Sequence, residues 1–193
     1  MIKYFSLLLF ASFSLHSNAQ EFTMERPEIG FDVAFSSSTL GGNVGIGLKY
    51  SAFQVGDILV IGPSARYERT WVKNSFSGVN GGYNVFGGGV FAHARFYNAL
   101  FLGLEYELLK SPYTSNGFLT GINPSWANTL FIGGGFSKEF NESFRINAGL
   151  MYDVINAENS PFKRSYSITQ KDANGNIVKI LPIIFRLAFF IRL

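Results

Sequence analysis

Residues 100–109 read LFLGLEYELL, and this stretch carries the clearest periodicity in the chain. Leucine or tyrosine occupies every even position, while Gly103, Glu105 and Glu107 stand at odd positions between them. Side chains of successive strand residues point to opposite faces, so a period of two predicts a strand with one apolar and one polar face.

Seven further stretches show the same alternation and are separated by turn residues. They lie at about 29–35, 44–50, 58–73, 83–96, 130–139, 144–153 and 181–193. Eight tilted antiparallel strands of about ten residues can span a bilayer, and eight is the smallest common number for a closed membrane barrel. The sequence therefore predicts an all-β protein, an eight-stranded antiparallel up-and-down transmembrane β-barrel.

The lengths of the connecting segments support this prediction. Links after the second, fourth and sixth strands are short, at 54–57, 97–99 and 141–143, and the others are longer, at 36–42, 74–82, 111–125 and 155–178. Short periplasmic turns alternating with long external loops are typical of outer-membrane barrels. The last loop contains a hairpin signal, Asp172-Ala173-Asn174-Gly175, which predicts a ribbon that continues strands seven and eight beyond the membrane.

Three features indicate that the apolar face meets lipid and the polar face lines the interior. Ten glycines fall on the polar face and only Gly88 and Gly134 on the apolar one, which suits a crowded lumen. Aromatic residues occupy both ends of the apolar face, as in interfacial girdles: Phe35, Trp71, Trp126 and Tyr152 at the loop ends, and Phe96, Phe140, Phe144 and Phe189 at the turn ends. The polar face carries six acids and five bases, namely Asp32, Glu68, Glu105, Glu107, Glu139, Asp153, Lys49, Arg66, Arg95, Arg145 and Arg186.

These near-balanced charges predict internal ion pairs. A turn at 141–143 places Glu139 opposite Arg145 on the polar side and Phe140 opposite Phe144 on the apolar side. The turn at 97–99 likewise places His93 opposite or diagonal to Glu105. An eight-stranded interior is just wide enough for side chains, so we expect a plugged polar lumen instead of a pore.

One proline interrupts the pattern. Pro63 lies inside the third strand, where it deletes one ladder hydrogen bond, so a bulge is expected there, near the periplasmic rim.

The amino terminus has the pattern of an export signal. Residues 1–19 combine Lys3, an apolar run from Tyr4 to Leu15, and small residues at Ser17 and Ala19. The expected mature chain, 20–193, is a single domain with a net charge of +2, from +3 for the whole chain less Lys3. It contains no cysteine, which excludes disulfides, thiolate metal sites and cysteine nucleophiles. Charged residues make up only 15% of the whole chain, which argues against a nucleic-acid partner.

With this signal, loop alternation and closing strand, the chain resembles the small eight-stranded outer-membrane barrels of Gram-negative bacteria, the OmpA/OmpX-like class. The alternation at 181–193 looks like the signal read by the barrel-assembly machinery, although Leu193 stands where many members end in phenylalanine. The resemblance implies a location in the cell outer membrane. Members differ in role, from envelope structure to adhesion and lipid modification, so the fold alone assigns no activity.

Catalysis is not expected. Lipid A deacylases of this class need a histidine, a serine and an acid in reach of one another, but His93 is the only histidine of the expected mature chain and should face the lumen. Glu105 and Glu107 lie two residues apart on one face, but glycosidase chemistry needs an open cleft between its two acids, and the pattern favours solvated or ion-paired carboxylates in the lumen. The glycine runs 87–89 and 133–135 open no helix and lack the phosphate-loop lysine. We therefore assign no catalytic, cofactor-binding or metal residues.

The best candidate for recognition is the segment from Pro161 to Tyr166, which places Lys163 and Arg164 beside two aromatic residues on the predicted outer side. It could contact lipopolysaccharide phosphates or an adhesion partner. The expected function is a structural or surface-interaction role in the outer membrane, with the lipid bilayer and lipopolysaccharide as partners and membership of an envelope complex possible. The alternatives are a lipid A-modifying enzyme and, if the faces are reversed, a secreted lipocalin-like binder of apolar ligands.

Overall fold

A computed structural model describes residues 27–38, 41–56, 58–73, 80–113, 125–164, 166 and 168–193. The predicted export signal lies outside these residues. The strands are β1 Glu28–Ser38, β2 Gly41–Tyr50, β3 Phe53–Val55, β4 Leu59–Lys73, β5 Asn80–Phe96, β6 Leu100–Ser111, β7 Ser125–Asn141, β8 Phe144–Asp153, β9 Thr169–Lys171, β10 Ile177–Ile180 and β11 Ile183–Arg192. A 3-10 turn, η1, covers Pro161–Arg164.

The main sheet closes on itself as an eight-stranded antiparallel barrel, as the sequence predicts. The order of its strands is β2-β1-β11-β8-β7-β6-β5-β4-β3, and β2 also pairs with β4. The short strand β3 continues β2 along β4, so the two count as one wall element. The first and last long strands meet, with Phe31 opposite Phe189. Every wall element of the barrel therefore has a hydrogen-bonded neighbour on both sides.

The two faces of the wall separate as predicted. Outward-facing Leu102, Phe185 and Phe136 are 61%, 63% and 73% exposed. Inward-facing charged residues such as Glu105 and Arg66 are almost completely buried. A water-soluble protein would show the opposite arrangement, because charged side chains are rarely buried in such numbers.

The predicted registers are confirmed. Glu139 pairs with Arg145 across the β7–β8 turn, and the rings of Phe140 and Phe144 lie 6.0 Å apart on the outer side. His93 lies opposite Gly103, so its bond to Glu105 is diagonal.

The first connecting segment is shorter than the sequence predicts. We expected a loop at 36–42, yet Ser36 pairs with Asn43 and Ser38 with Gly41, which leaves only 39–40 as the link. Polar residues do not end a strand here, because ladder hydrogen bonds join backbone groups whatever the side chains are. The other three links at this end remain long, at 74–79, 112–124 and 154–182, against 97–99 and 142–143 opposite. We call the two rims the loop end and the turn end.

The ladder is irregular beside Pro63, but the extra residue is not on β4, the strand that contains Pro63. Its own pairing with Val90 fits a continuous β4–β5 register. On the other side, Lys49 faces Ser64 and Phe53 faces Ile61, so three residues (50–52) oppose two (62–63). The expected bulge is therefore present, and the extra residue belongs to the neighbouring strand.

The hairpin signal in the last loop forms a separate two-stranded ribbon, β9–β10. Asp172 N donates to Asn176 O at 2.9 Å, and Gly175 has a positive φ of 84°. Hydrogen bonds from the Asn176 backbone and side chain hold the pKa of Asp172 below its usual value. The ribbon does not extend β8 and β11, which are the seventh and eighth predicted strands. After Asp153 the chain turns over the barrel mouth before it reaches β9.

Among the described residues, no helix is long and apolar enough to cross a membrane.

Candidate functional site

The lumen contains a layer of six charged side chains contributed by five strands. Three are acids and three are bases: Asp32, Glu105, Glu107, Lys49, Arg66 and Arg186. Each is at most 5% exposed, and their formal charges, three negative and three positive, cancel. Because an unpaired buried charge is very unfavourable, this balance is what allows the charges to remain inside the barrel.

Lys49 links opposite walls within this layer. Its Nζ lies 2.6 Å from Asp32 Oδ2 and 2.8 Å from Glu105 Oε1. Gly47 stands directly opposite Asp32, and a Cβ there would lie 3.0 Å from the Asp32 Cβ. The absence of a side chain at position 47 leaves the room that the ion pair occupies.

The two arginines bind the third acid, Glu107, and also reach the two acids that contact Lys49. Arg66 Nε lies 3.0 Å from both oxygens of Glu107, and its Nη2 lies 2.7 Å from Oε1. Arg186 Nη2 lies 3.5 Å from Glu105 and 3.4 Å from Glu107, so it bridges the two acids. Charge-assisted bonds of a guanidinium to a carboxylate also fix orientation, which joins β4, β6 and β11 through the lumen.

His93 belongs to the same network, as the predicted inward position near Glu105 implies. Its Nε2 lies 2.9 Å from Glu105 Oε1, and the side chain is buried. Three phenylalanine rings surround it, with centroids 5.1, 5.4 and 5.9 Å from the imidazole: Phe91, Phe101 and Phe190.

Further pairs occupy the lumen toward the turn end. Arg95 donates to both oxygens of Glu28, at 3.1 and 2.7 Å, and Arg192 approaches the same carboxylate at 3.5 Å. Arg145 pairs with Glu139, as the register predicts. A small surface cleft at the rim is lined by Glu28, Glu139, Arg145 and Arg192.

Two of the predicted lumen acids bond to neutral groups. Asn43 Nδ2 donates to Glu68 Oε1 at 2.6 Å, and the Tyr166 hydroxyl donates to Asp153 Oδ2 at 2.9 Å. The other nine charged residues predicted for the polar face take part in ion pairs.

The interior is less polar than the sequence predicts. Apolar side chains occupy inward positions in several strands and form two clusters. One cluster includes residues of the last loop: Val85, Phe101, Leu109, Phe131, Met151, Phe162, Tyr166 and Ile184. The other consists of strand residues only: Val60, Phe91, Ala188 and Phe190. Their rings contact the cations. The Arg186 guanidinium carbon lies 4.9 Å from the Phe131 centroid, and that of Arg95 lies 4.8 Å from the Phe190 centroid. Cation–π contacts of this kind stabilise a cation that has left water.

The described residues of the predicted recognition segment, Pro161–Arg164 and Tyr166, turn into the barrel mouth together with Ser160 and cap it. Ser160, Pro161, Phe162 and Tyr166 are buried. The Phe162 ring packs 5.1 Å from Phe131 and 5.7 Å from the guanidinium carbons of both Arg66 and Arg186. The two aromatic rings of this segment therefore fill the space above the charged layer. Contact of Lys163 and Arg164 with an external partner stays a prediction, and the side chain of Arg164 lies outside the described residues.

In the described part of the chain, no group of three or more histidine or carboxylate side chains is arranged so that it could hold a metal ion.

The comparisons with known proteins give a likeness in structure and no match in sequence. No protein-family model matches the sequence, and no curated protein was found to match it. Among solved structures, the chain is similar to the outer membrane protein Ail of Yersinia pestis, described as its backbone structure in a phospholipid bilayer nanodisc. The two share 14% identity and a TM-score of 0.45, over 88% of this chain and 99% of that one.

Proposed function

We propose that the protein is an integral outer-membrane barrel with a structural or surface-interaction role and no catalytic activity. The observation that carries the proposal is the inverted distribution of its side chains. Outward residues on every wall are large and apolar, including Ile46, Tyr67, Val90, Leu104, Ile132, Leu150, Phe185 and Val33, each 45% exposed or more. An apolar surface that encircles a closed barrel is unfavourable in water and favourable in lipid.

Aromatic residues at both rims support insertion in a bilayer. Trp126 and Tyr152 lie on the outer wall toward the loop end, at 54% and 46% exposure, and Phe140 lies at the turn end, at 62%. Amphipathic rings favour the level of the lipid headgroups, so two such belts fix the depth of a barrel. With the export signal expected at 1–19, this arrangement favours the outer membrane, with the lipid bilayer and lipopolysaccharide as its surroundings.

The proposed role is non-conducting. The charged layer, the inward rings and the cap at 160–166 all occupy the lumen, which supports a plugged barrel. Interaction at the cell surface then falls to the parts outside the wall. The ribbon offers exposed apolar side chains to such a partner: Ile168, Val178 and Ile180.

The two alternatives find less support. A lipocalin-like binder needs an apolar cavity and a polar exterior, whereas the six buried charges occupy the middle of this barrel. A lipid-modifying enzyme needs its histidine at a membrane-exposed surface, whereas His93 is 1% exposed and ringed by phenylalanines.

Fractionation and gel migration test the proposal. The mature protein should be recovered with outer membranes, and an unheated sample should migrate differently from a boiled one, because a closed barrel resists unfolding by detergent until it is heated. Recovery in the soluble periplasmic fraction without a mobility shift would refute membrane insertion. Lipid A isolated from cells with and without the protein should be identical, and a change in its acyl chains would favour the enzyme.

A further inference from the structure

The outer wall carries charge of one sign only. Among the described side chains of the barrel strands, the charged residues that face outward are Arg69 and Lys110 near the loop end and Lys138 near the turn end. The acids of these strands face the lumen: Glu28, Asp32, Glu68, Glu105, Glu107, Glu139 and Asp153. Every charged side chain described on the outward face of the wall is therefore a cation.

Arg69 and Lys110 both lean over β5. Arg69 Nη1 donates to Asn84 Oδ1 at 2.8 Å, and its Nη2 lies over Gly82, where a Cβ would come within 2.7 Å. Lys110 Nζ lies 5.8 Å from the centroid of Phe86, two residues from Asn84 on the same strand. The two cations thus approach neighbouring positions on one strand, and Gly82 leaves the space for the guanidinium.

Aromatic rings place these cations at a defined depth. Lys110 is the register partner of both Phe86 and Trp126, and the two rings meet edge to face at 6.5 Å. Trp126 belongs to the loop-end girdle, which lies at headgroup level if the barrel spans a bilayer. No carboxylate of the described residues forms an ion pair with Arg69 or Lys110. Among the described residues, these two cations are therefore left without an anionic partner.

We propose that Arg69 and Lys110, together with the Phe86 ring beside Lys110 and the Trp126 ring that packs against it, form a binding site on the outer wall for the phosphate of an anionic membrane lipid. This inference rests on the proposed insertion in a membrane. A guanidinium keeps free N–H donors after one bond to Asn84 and matches the geometry of phosphate oxygens, while an ammonium adds a second charge. The rings give the adjoining acyl chain an apolar surface.

Fluorescence quenching by brominated lipids tests the site, because the chain has two tryptophans and one lies within it. In a Trp71→Phe background, Trp126 is the sole reporter. The folded mature protein is reconstituted in phosphatidylcholine vesicles that contain either brominated phosphatidylcholine or brominated phosphatidylglycerol. We expect phosphatidylglycerol to be enriched beside Trp126, and each of Arg69→Gln and Lys110→Gln to lower its relative affinity about fivefold.

Two variants complete the design. Lys138→Gln removes an outward cation at the other end and should leave the enrichment unchanged. Gly82→Ala keeps every charge but displaces the Arg69 guanidinium, so it should lower the enrichment. Heat-dependent gel migration shows that each variant is folded.

The outcomes separate this inference from the proposed function. Equal quenching by the two brominated lipids in the unsubstituted site would overturn the phosphate site while leaving membrane insertion standing. Quenching by neither lipid would overturn both. Loss of the preference in Lys138→Gln would show a general charge effect and would overturn the site.

Discussion

The ring of Phe162, from the 3-10 turn of the last loop, meets the ring of Phe131 from the middle of β7 at a centroid distance of 5.1 Å and an angle of 82°. Both side chains are buried, so a loop residue completes the packing of the lumen. Edge-to-face contact of this kind adds to the burial of the two rings. The cap is thus part of the folded core and not only a covering segment.

Phe162→Ala should loosen the cap. Replacement of a buried phenylalanine costs about 3–5 kcal/mol when the site cannot collapse, and less here if the cap detaches by itself. We expect a lower free energy of unfolding in urea titrations and faster trypsin cleavage after Lys163. Phe185→Ala, on the outer wall, is the control and should not accelerate that cleavage. Unchanged cleavage in Phe162→Ala would mean that the ring does not hold the cap.

Lys49→Met should destabilise the barrel by about 3–5 kcal/mol, because it leaves a net negative charge in a buried layer that was balanced. The double variant Lys49→Met, Glu105→Gln restores the balance and should recover part of the loss. Urea unfolding of the two single variants and the double variant gives the coupling energy. Additive effects would contradict the view that the layer behaves as one electrostatic unit.

Gly47→Ala should lower the free energy of unfolding by about 1–3 kcal/mol, since the new Cβ would crowd the Asp32 side chain that binds Lys49. The matched control is Gly81→Ala, where a Cβ meets no atom of the described residues within 4 Å. The control should be neutral or slightly more stable than the parent. Equal losses in both variants would point to backbone effects instead of crowding in the lumen.

Alkaline pH should release the cap through Tyr166. Burial, more than its bond to Asp153, raises the pKa of the Tyr166 hydroxyl above the ordinary value of 10. A group whose folded-state pKa is raised contributes stability that is complete below pH 10 and is lost as pH rises through the folded-state pKa. Thermal unfolding between pH 8 and 12 should therefore show a steeper decline for the parent than for Tyr166→Phe. Parallel curves would contradict the role of this phenol.

The alternation of residues was sufficient to predict the strands, the closure and the two faces, because lipid outside and side chains inside impose opposite polarity on successive positions. It also placed Glu139 beside Arg145 and His93 near Glu105, since short turns fix the register of a hairpin. The length of the first loop, predicted at 36–42, was overestimated. Beyond the apolar belt, the polarity of a side chain does not indicate whether its backbone is paired.

The aromatic content of the lumen was harder to predict. Phe91, Phe101, Phe131 and Phe190 occupy positions of the polar parity, and their neighbours on the outer face are also apolar, so a local window shows only a run of apolar residues. Their position beside cations depends on contacts between strands far apart in the sequence. The same holds for Phe162, whose loop carries no pattern that distinguishes a buried turn from an exposed one.

The sequence by itself determined the class of fold, the strand faces and the balance of inward charges, since each follows from the period of two and from the composition of each face. Only the tertiary structure decided how the charges pair, which rings lie against them, and that the loop at 160–166 fills the mouth. The physical reason is that periodicity is a property of one strand. Lys49 and Glu105, which lie on β2 and β6, meet only because closure of the barrel brings their walls together across a narrow lumen.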